Sequence, residues 1–250
     1  MASDTPYQAP AASSEPPSEE PVVRGYGQTL MDLFIAPGDA FADLVKKPRV
    51  LVVLVLLTAL SVLLTGVWLA HADLYEMVRA QVEAQGKAAP PREAIPVGPI
   101  RIFSWIAGFL APVIIYVASA GIYMLIFNFM LGAHARFKAL LSVLAHVGLA
   151  ITIVSVPLTL LVYYLKGDWN VSPDQIIQAS PAAFLDRATT SKVFYALVGK
   201  FNLFTIWSLA LCAIGLGRAT NRSTGSAATV VLTLWGIFAV LHLGWVAIFG

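Results

Sequence analysis

Long apolar runs without charge dominate this chain. The first, Val50–Ala70, reads VLVVLVLLTALSVLLTGVWLA. A helix rises about 1.5 Å per residue, so roughly 20 such residues cross a hydrocarbon core about 30 Å thick. Four further runs lie inside Ile102–Leu131, inside Ala139–Leu165, around Phe201–Gly217 and inside Ala227–Phe249. The pattern predicts an all-α fold: a polytopic membrane bundle of five transmembrane helices spanning 50–250.

Upstream of the first run the pattern changes twice. Residues 1–27 mix Pro6, Pro10, Pro16, Pro17 and Pro21 with Ser, Ala and acidic residues. Such a composition cannot bury enough apolar surface to offset its ordering entropy, which predicts a disordered tail. A secretory signal needs a basic start and an apolar stretch near the N-terminus, and neither occurs here, so the first span is expected to be retained. Residues 28–49 are intermediate. Leu30, Leu33, Phe34 and Ile35 precede Pro37, and Phe41, Leu44 and Val45 recur at helical spacing before Lys46, Lys47 and Arg49. This reads as an interfacial segment with its bases at the headgroup level.

The two long loops also carry structure. Leu74, Met77, Val78 and Val82 form a helical stripe opposite Glu76, Arg79 and Glu83, as a helix lying on the membrane face would. A similar short element is expected around Ile176 and Ile177, after Pro173. Pro112 and Pro157 should bend their spans. Two pairs of small residues four apart, Ala107 with Ala111 and Ala213 with Gly217, allow close helix approach.

Charge sets the expected orientation. The short links 132–138 and 218–226 carry Arg136, Lys138, Arg218 and Arg222 and no acid, and Lys46, Lys47 and Arg49 abut the first span on the same side. The positive-inside rule then places the N-terminus and both links in the cytoplasm. The long loops also hold bases, among them Arg79, Lys87, Arg187 and Lys192, but diluted with acids. Trp68, Trp105, Tyr163, Tyr164 and Trp245 fall near the opposite ends of the spans, as an interfacial aromatic belt would.

Composition agrees with a membrane protein and narrows its chemistry. Hydrophobic residues make up 58% and charged residues 12%, with a mean hydropathy of +0.77; soluble domains run at about 25% charged. A net charge of +2 without a basic, aromatic-rich cluster offers nothing for nucleic acid. The single cysteine, Cys212, excludes an intrachain disulfide. No Asp or Glu falls inside a span, which argues against a carrier built on an intramembrane carboxylate. Ser142 and His146 can meet across one helical turn, but they lack an orienting acid. His146 and His242 should differ in depth by about 10 Å, so each is expected to make its own hydrogen bond between helices. Asn128 and Asn202 are read the same way. No catalytic, cofactor-binding or metal-ligating residue is expected, and no cofactor. The partners expected are the lipid bilayer and membrane or cytoplasmic proteins, with room for a homo-oligomer.

Several local sequences carry a family likeness. They are Leu33-Phe34-Ile35-Ala36-Pro37 followed by Phe41, the link 132–138 with Phe137 leading into the third span, and Phe201-Asn202-Leu203-Phe204-Thr205-Ile206-Trp207 running on to Ala213-Ile214-Gly215-Leu216. Over residues 30–250 the chain resembles the YIP domain family, the Ypt/Rab-interacting membrane proteins, in its bacterial branch. The resemblance implies five spans, a cytoplasmic tail, a bacterial cytoplasmic membrane and a non-enzymatic scaffolding role that organises partners or lipids. Eukaryotic members carry Asp-Leu-Tyr-Gly-Pro before the first span. Here Asp73-Leu74-Tyr75 is followed by Glu76 and Met77 and lies after it, so GTPase binding is not part of the implication. A small permease or channel component is the alternative from a different class.

Overall fold

A computed structural model of the chain describes residues 25–249 apart from 85, 178, 187 and 188. The tail expected over 1–27 lies outside the described residues up to position 24, as does Arg187; Tyr26 and Gly27 already belong to the first helix. That helix, α1 (Tyr26–Ile35), is followed by α2 (Pro37–Lys46). The break between them follows from Pro37, whose ring disfavours helical geometry at Ala36 and then opens α2 at its first position.

The five spans follow as α3 (Val50–His71), α5 (Val97–Leu125), α6 (Phe137–Lys166), α8 (Leu203–Thr220) and α9 (Thr224–Phe249). All five are long and apolar enough to cross a membrane. The second is prolonged by a π-helical turn, Ile126–Met130. Pro112 and Pro157 both sit inside continuous helices. Outside the spans, α4 covers Leu74–Ala84 and α7 covers Lys192–Gly199. No strand occurs among the described residues.

Helix α6 is the centre. It packs against α3, α5 and α8 and also receives α1 and α2, whereas α9 packs along α8 and against α7. Every residue from Ala139 to Ala150 is buried. Neighbours close in because their side chains enter notches at glycines. At Gly215 on α8 an added Cβ would collide with Val143 of α6 and lie 3.1 Å from the Phe41 ring of α2. At Gly148 it would collide with the Tyr116 phenol of α5. The small pair Ala213 and Gly217 is buried on α8, while Ala107 and Ala111 are only half-buried.

The end remote from α1 and α2 is closed by aromatic packing. The Trp68 indole donates to the carbonyls of Trp169 and Val171, each at 3.1 Å, and Tyr163 donates to Val171 at 2.6 Å. Trp169 stacks on Tyr163 at 4.6 Å and on His71 at 4.2 Å. Trp68 and Tyr163 are therefore buried within the protein, whereas Trp105, Tyr164 and Trp245 remain exposed as a belt would be. The expected helix at Ile176 and Ile177 does not form. Those residues follow a turn in which the Gln175 and Ile176 amides bond the Ser172 carbonyl, and Ile176 is buried in the Trp68–Tyr163 cluster. The helix in this loop is α7, whose start Ser191 caps by accepting from the Phe194 amide. In the first loop α4 forms over the expected stripe, and the Asp73 carboxylate accepts from the Tyr75 and Glu76 amides.

Candidate functional site

Helices α1 and α2 are amphipathic, and their apolar stripes face the bundle. Leu33, Ala40, Phe41 and Leu44 are buried, in one cluster with Val143, Leu144, Leu211 and Leu216. The segment expected at the headgroup level is thus also anchored in protein. The Phe34 ring meets Trp207 of α8 at 5.6 Å. Thr29 and Asp32 are buried polar residues with partners: the Thr29 hydroxyl donates to the Gly25 carbonyl at 3.3 Å, and the Gln28 amide donates to Asp32 at 2.9 Å.

The start of α1 meets the start of α3 and the first third of α6 at His146. The Tyr26 hydroxyl lies 3.2 Å from His146 Nε2, and the Arg49 guanidinium lies over the Tyr26 ring at 4.9 Å. His146 Nδ1 is 2.6 Å from the Ser142 carbonyl. A carbonyl only accepts, so the proton is on Nδ1, and Nε2 accepts from the Tyr26 hydroxyl. Both ring nitrogens are therefore used in holding α1 to α6. Burial raises the Tyr26 pKa above its ordinary value, against the opposing charge of Arg49.

The two short links complete the same end. Asn128 clasps Ala135, its amide donating to the Ala135 carbonyl at 3.0 Å while its oxygen accepts from the Ala135 amide at 2.7 Å. Gly132 and His134 take the left-handed conformation in between. Asn221 ends α8 in that conformation too, with its amide and that of Arg222 on the Gly217 carbonyl. Arg136 donates to the Val45 carbonyl at 3.2 Å, tying the first link to α2. Arg222 donates to the Leu131 carbonyl, tying the second link to the first. Lys46, Lys47, Arg136, Lys138, Arg218 and Arg222 are exposed on this face. Asp39 and Asp43 are the acids beside them, and both are engaged in interactions of their own.

Ser142 and His146 do come together, with Oγ 3.5 Å from Nδ1. Their third partner is a phenol rather than an acid, and Nδ1 is already given to a carbonyl. The structure keeps His146 and His242 apart. His146 makes the expected bond between helices. His242 does not: it is exposed on α9 and makes no hydrogen bond among the described residues. The expectation for the asparagines is corrected as well, because Asn128 holds a link and Asn202 caps α8 by accepting from the Phe204 amide at 2.9 Å. Among the described residues no group of three or more His, Cys, Asp or Glu is placed to hold a metal ion. Tyr26 was missed in the sequence because it sits at the edge of a proline-rich segment; its only signal is the apolar stripe that begins beside it.

The family model described as Yip1 domain matches residues 31–247. No curated protein and no solved structure matches the chain.

Proposed function

Since the chain belongs to the Yip1 domain family, we propose that this membrane protein is a non-enzymatic scaffold that organises protein partners or lipids. Its working surface is the face built from α1, α2 and the two short links. The observation that carries this reading is the locking of α1 and α2 to the bundle through Phe41, Tyr26–His146 and Arg136. A segment held this way presents its exposed bases in one fixed arrangement beside the headgroups, so a partner binds it without a large ordering cost. The acid-free links further support an orientation with this face in the cytoplasm, in a bacterial cytoplasmic membrane.

Photo-crosslinking residues placed at Lys47 and Lys138, with a control at Ala88, test the reading in cells. Discrete adducts to one partner protein or lipid from the first two positions and none from Ala88 are expected. Equal adducts from all three would remove this face as the working surface. In a C212S background, a cysteine at His134 should resist an impermeant label added outside, and one at Ala88 should react. Solute flux through vesicles containing the purified protein would favour a permease instead.

A further inference from the structure

A cavity of about 400 Å³ lies between α5, α6 and α8. This is within the roughly 300–1,000 Å³ of small-molecule sites. Helix α6 floors it, and α5 and α8 wall it without extended contact with each other, so its open side faces the hydrocarbon between those two helices. No charged side chain lines it. Its chemistry comes from hydroxyls: Tyr116, Ser119 and Tyr123 from α5, Thr152 from α6, and Thr205 and Ser208 from α8.

Ser208 is satisfied locally, donating to the Thr205 carbonyl at 2.8 Å. The other five make no side-chain hydrogen bond among the described residues. Inside a bilayer that is costly, because lipid tails supply no partner. Serine and threonine in a span commonly bond their own helix backbone, yet Ser119 and Thr152 do not. Tyr116 cannot simply swing away, because its phenol is seated in the notch at Gly148. A second cavity, about 310 Å³ between α8 and α9, is the contrast: apart from Lys200 it is lined by apolar and aromatic side chains and has no hydroxyl.

We propose that the hydroxyl-lined cavity binds an uncharged lipid whose head carries both hydroxyl and carbonyl groups, the chemistry of a diacylglycerol. The open side admits a molecule already in the bilayer. The unpartnered hydroxyls match a head that donates and accepts. A charged head would be stripped of water there with no countercharge. This site goes beyond the scaffolding face and does not depend on it.

The full chain in nanodiscs, mixed with a photoreactive diacylglycerol, tests the site. Labelled peptides should map to 116–123 and 204–212, and unlabelled diacylglycerol should compete. The double variant Y116F/Y123F keeps both rings and should bind about tenfold or more weakly, as expected for loss of two hydrogen bonds. S119L, which narrows the cavity and removes neither phenol hydroxyl, should also weaken labelling. Equal labelling by a photoreactive phosphatidylglycerol would overturn the proposal, and so would undiminished diacylglycerol binding in whichever variant remains folded by thermal melting.

Discussion

The first half of α6 and the whole of α9 are similar to read and opposite in circumstance. Past Lys138 at the start of α6, both are apolar stretches without Asp, Glu, Lys or Arg and with interspersed small residues. In the most apolar 18-residue window of α6, 72% of residues are buried inside the protein, against 6% for α9. In water the more apolar helix would take the centre. In a bilayer an apolar side chain is equally at ease against lipid or protein, so hydrophobicity does not choose. Shape and polar pairing choose instead. Helix α6 offers Gly148 to Tyr116 and His146 to Tyr26, and α8 offers Gly215 to Phe41 and Val143. Helix α9 offers Ala227 and Val231 near its start, and its remaining residues face outward or are half-buried.

The contrast can be broken by substitution, with thermal melting in detergent as the readout. The largest effect is expected from Leu140→Ala on α6, about 2–5 kcal/mol, because the site is fully buried within the core cluster to which α1, α2, α5 and α8 contribute. Leu241→Ala, on an exposed face of α9, should change the melting temperature little. A Leu241→Ala loss as large as that of Leu140→Ala would mean α9 is covered by something other than lipid.

Next comes Gly215→Val, expected to cost about 1–3 kcal/mol by forcing Phe41 and Val143 apart. Gly236→Ala is its counterpart on α9, where an added Cβ meets nothing within 4 Å. That variant should be neutral or slightly stabilising, since alanine is the better helix former.

Smaller still is Tyr26→Phe, which removes the hydroxyl bond to His146 but keeps the ring under Arg49. A loss of about 0.5–1.5 kcal/mol is expected. His146→Gln should cost a similar amount or slightly more, because the Ser142 contact is disturbed too. The double variant should lose less than the sum of the two, since both break the same bond. Strict additivity would separate Tyr26 from His146 and leave α1 held by apolar contacts alone.

A loss of similar size is expected at the opposite end. Trp68→Phe removes two indole bonds to the 169–171 loop but leaves the ring packed against Ile176 and Tyr163, so about 1 kcal/mol is the expected loss. Increased proteolysis within 168–177, with the remainder of the bundle intact, is the checking measurement.

Much of the candidate site was visible in sequence only as separate pieces. Arg136, Arg218 and Arg222 stood out as basic residues in short links, yet only folding ties Arg136 to Val45 and Arg222 to Leu131. His146 was recognisable as a polar group at depth. Its partner Tyr26 lies 120 residues away, a separation no local pattern carries. Asn202 was misread because a cap and a contact between helices leave the same trace: one polar residue at the edge of an apolar run. Ile176 was misread because a short apolar pair suits a helix stripe as well as a plugged turn.

The sequence by itself determined the number and order of the spans, the break at Pro37, the stripe that became α4 and the family to which the chain belongs. These follow from length, charge exclusion and local backbone preference, which act within a few residues. Only the tertiary structure decided that α6 is the centre and α9 the margin, that α1 and α2 are anchored through Phe41 and Tyr26, and that Tyr116, Ser119, Tyr123 and Thr152 face one cavity. Those outcomes depend on which notch meets which ring across helices that are all apolar, and complementarity of shape between distant segments leaves no periodic mark along the chain.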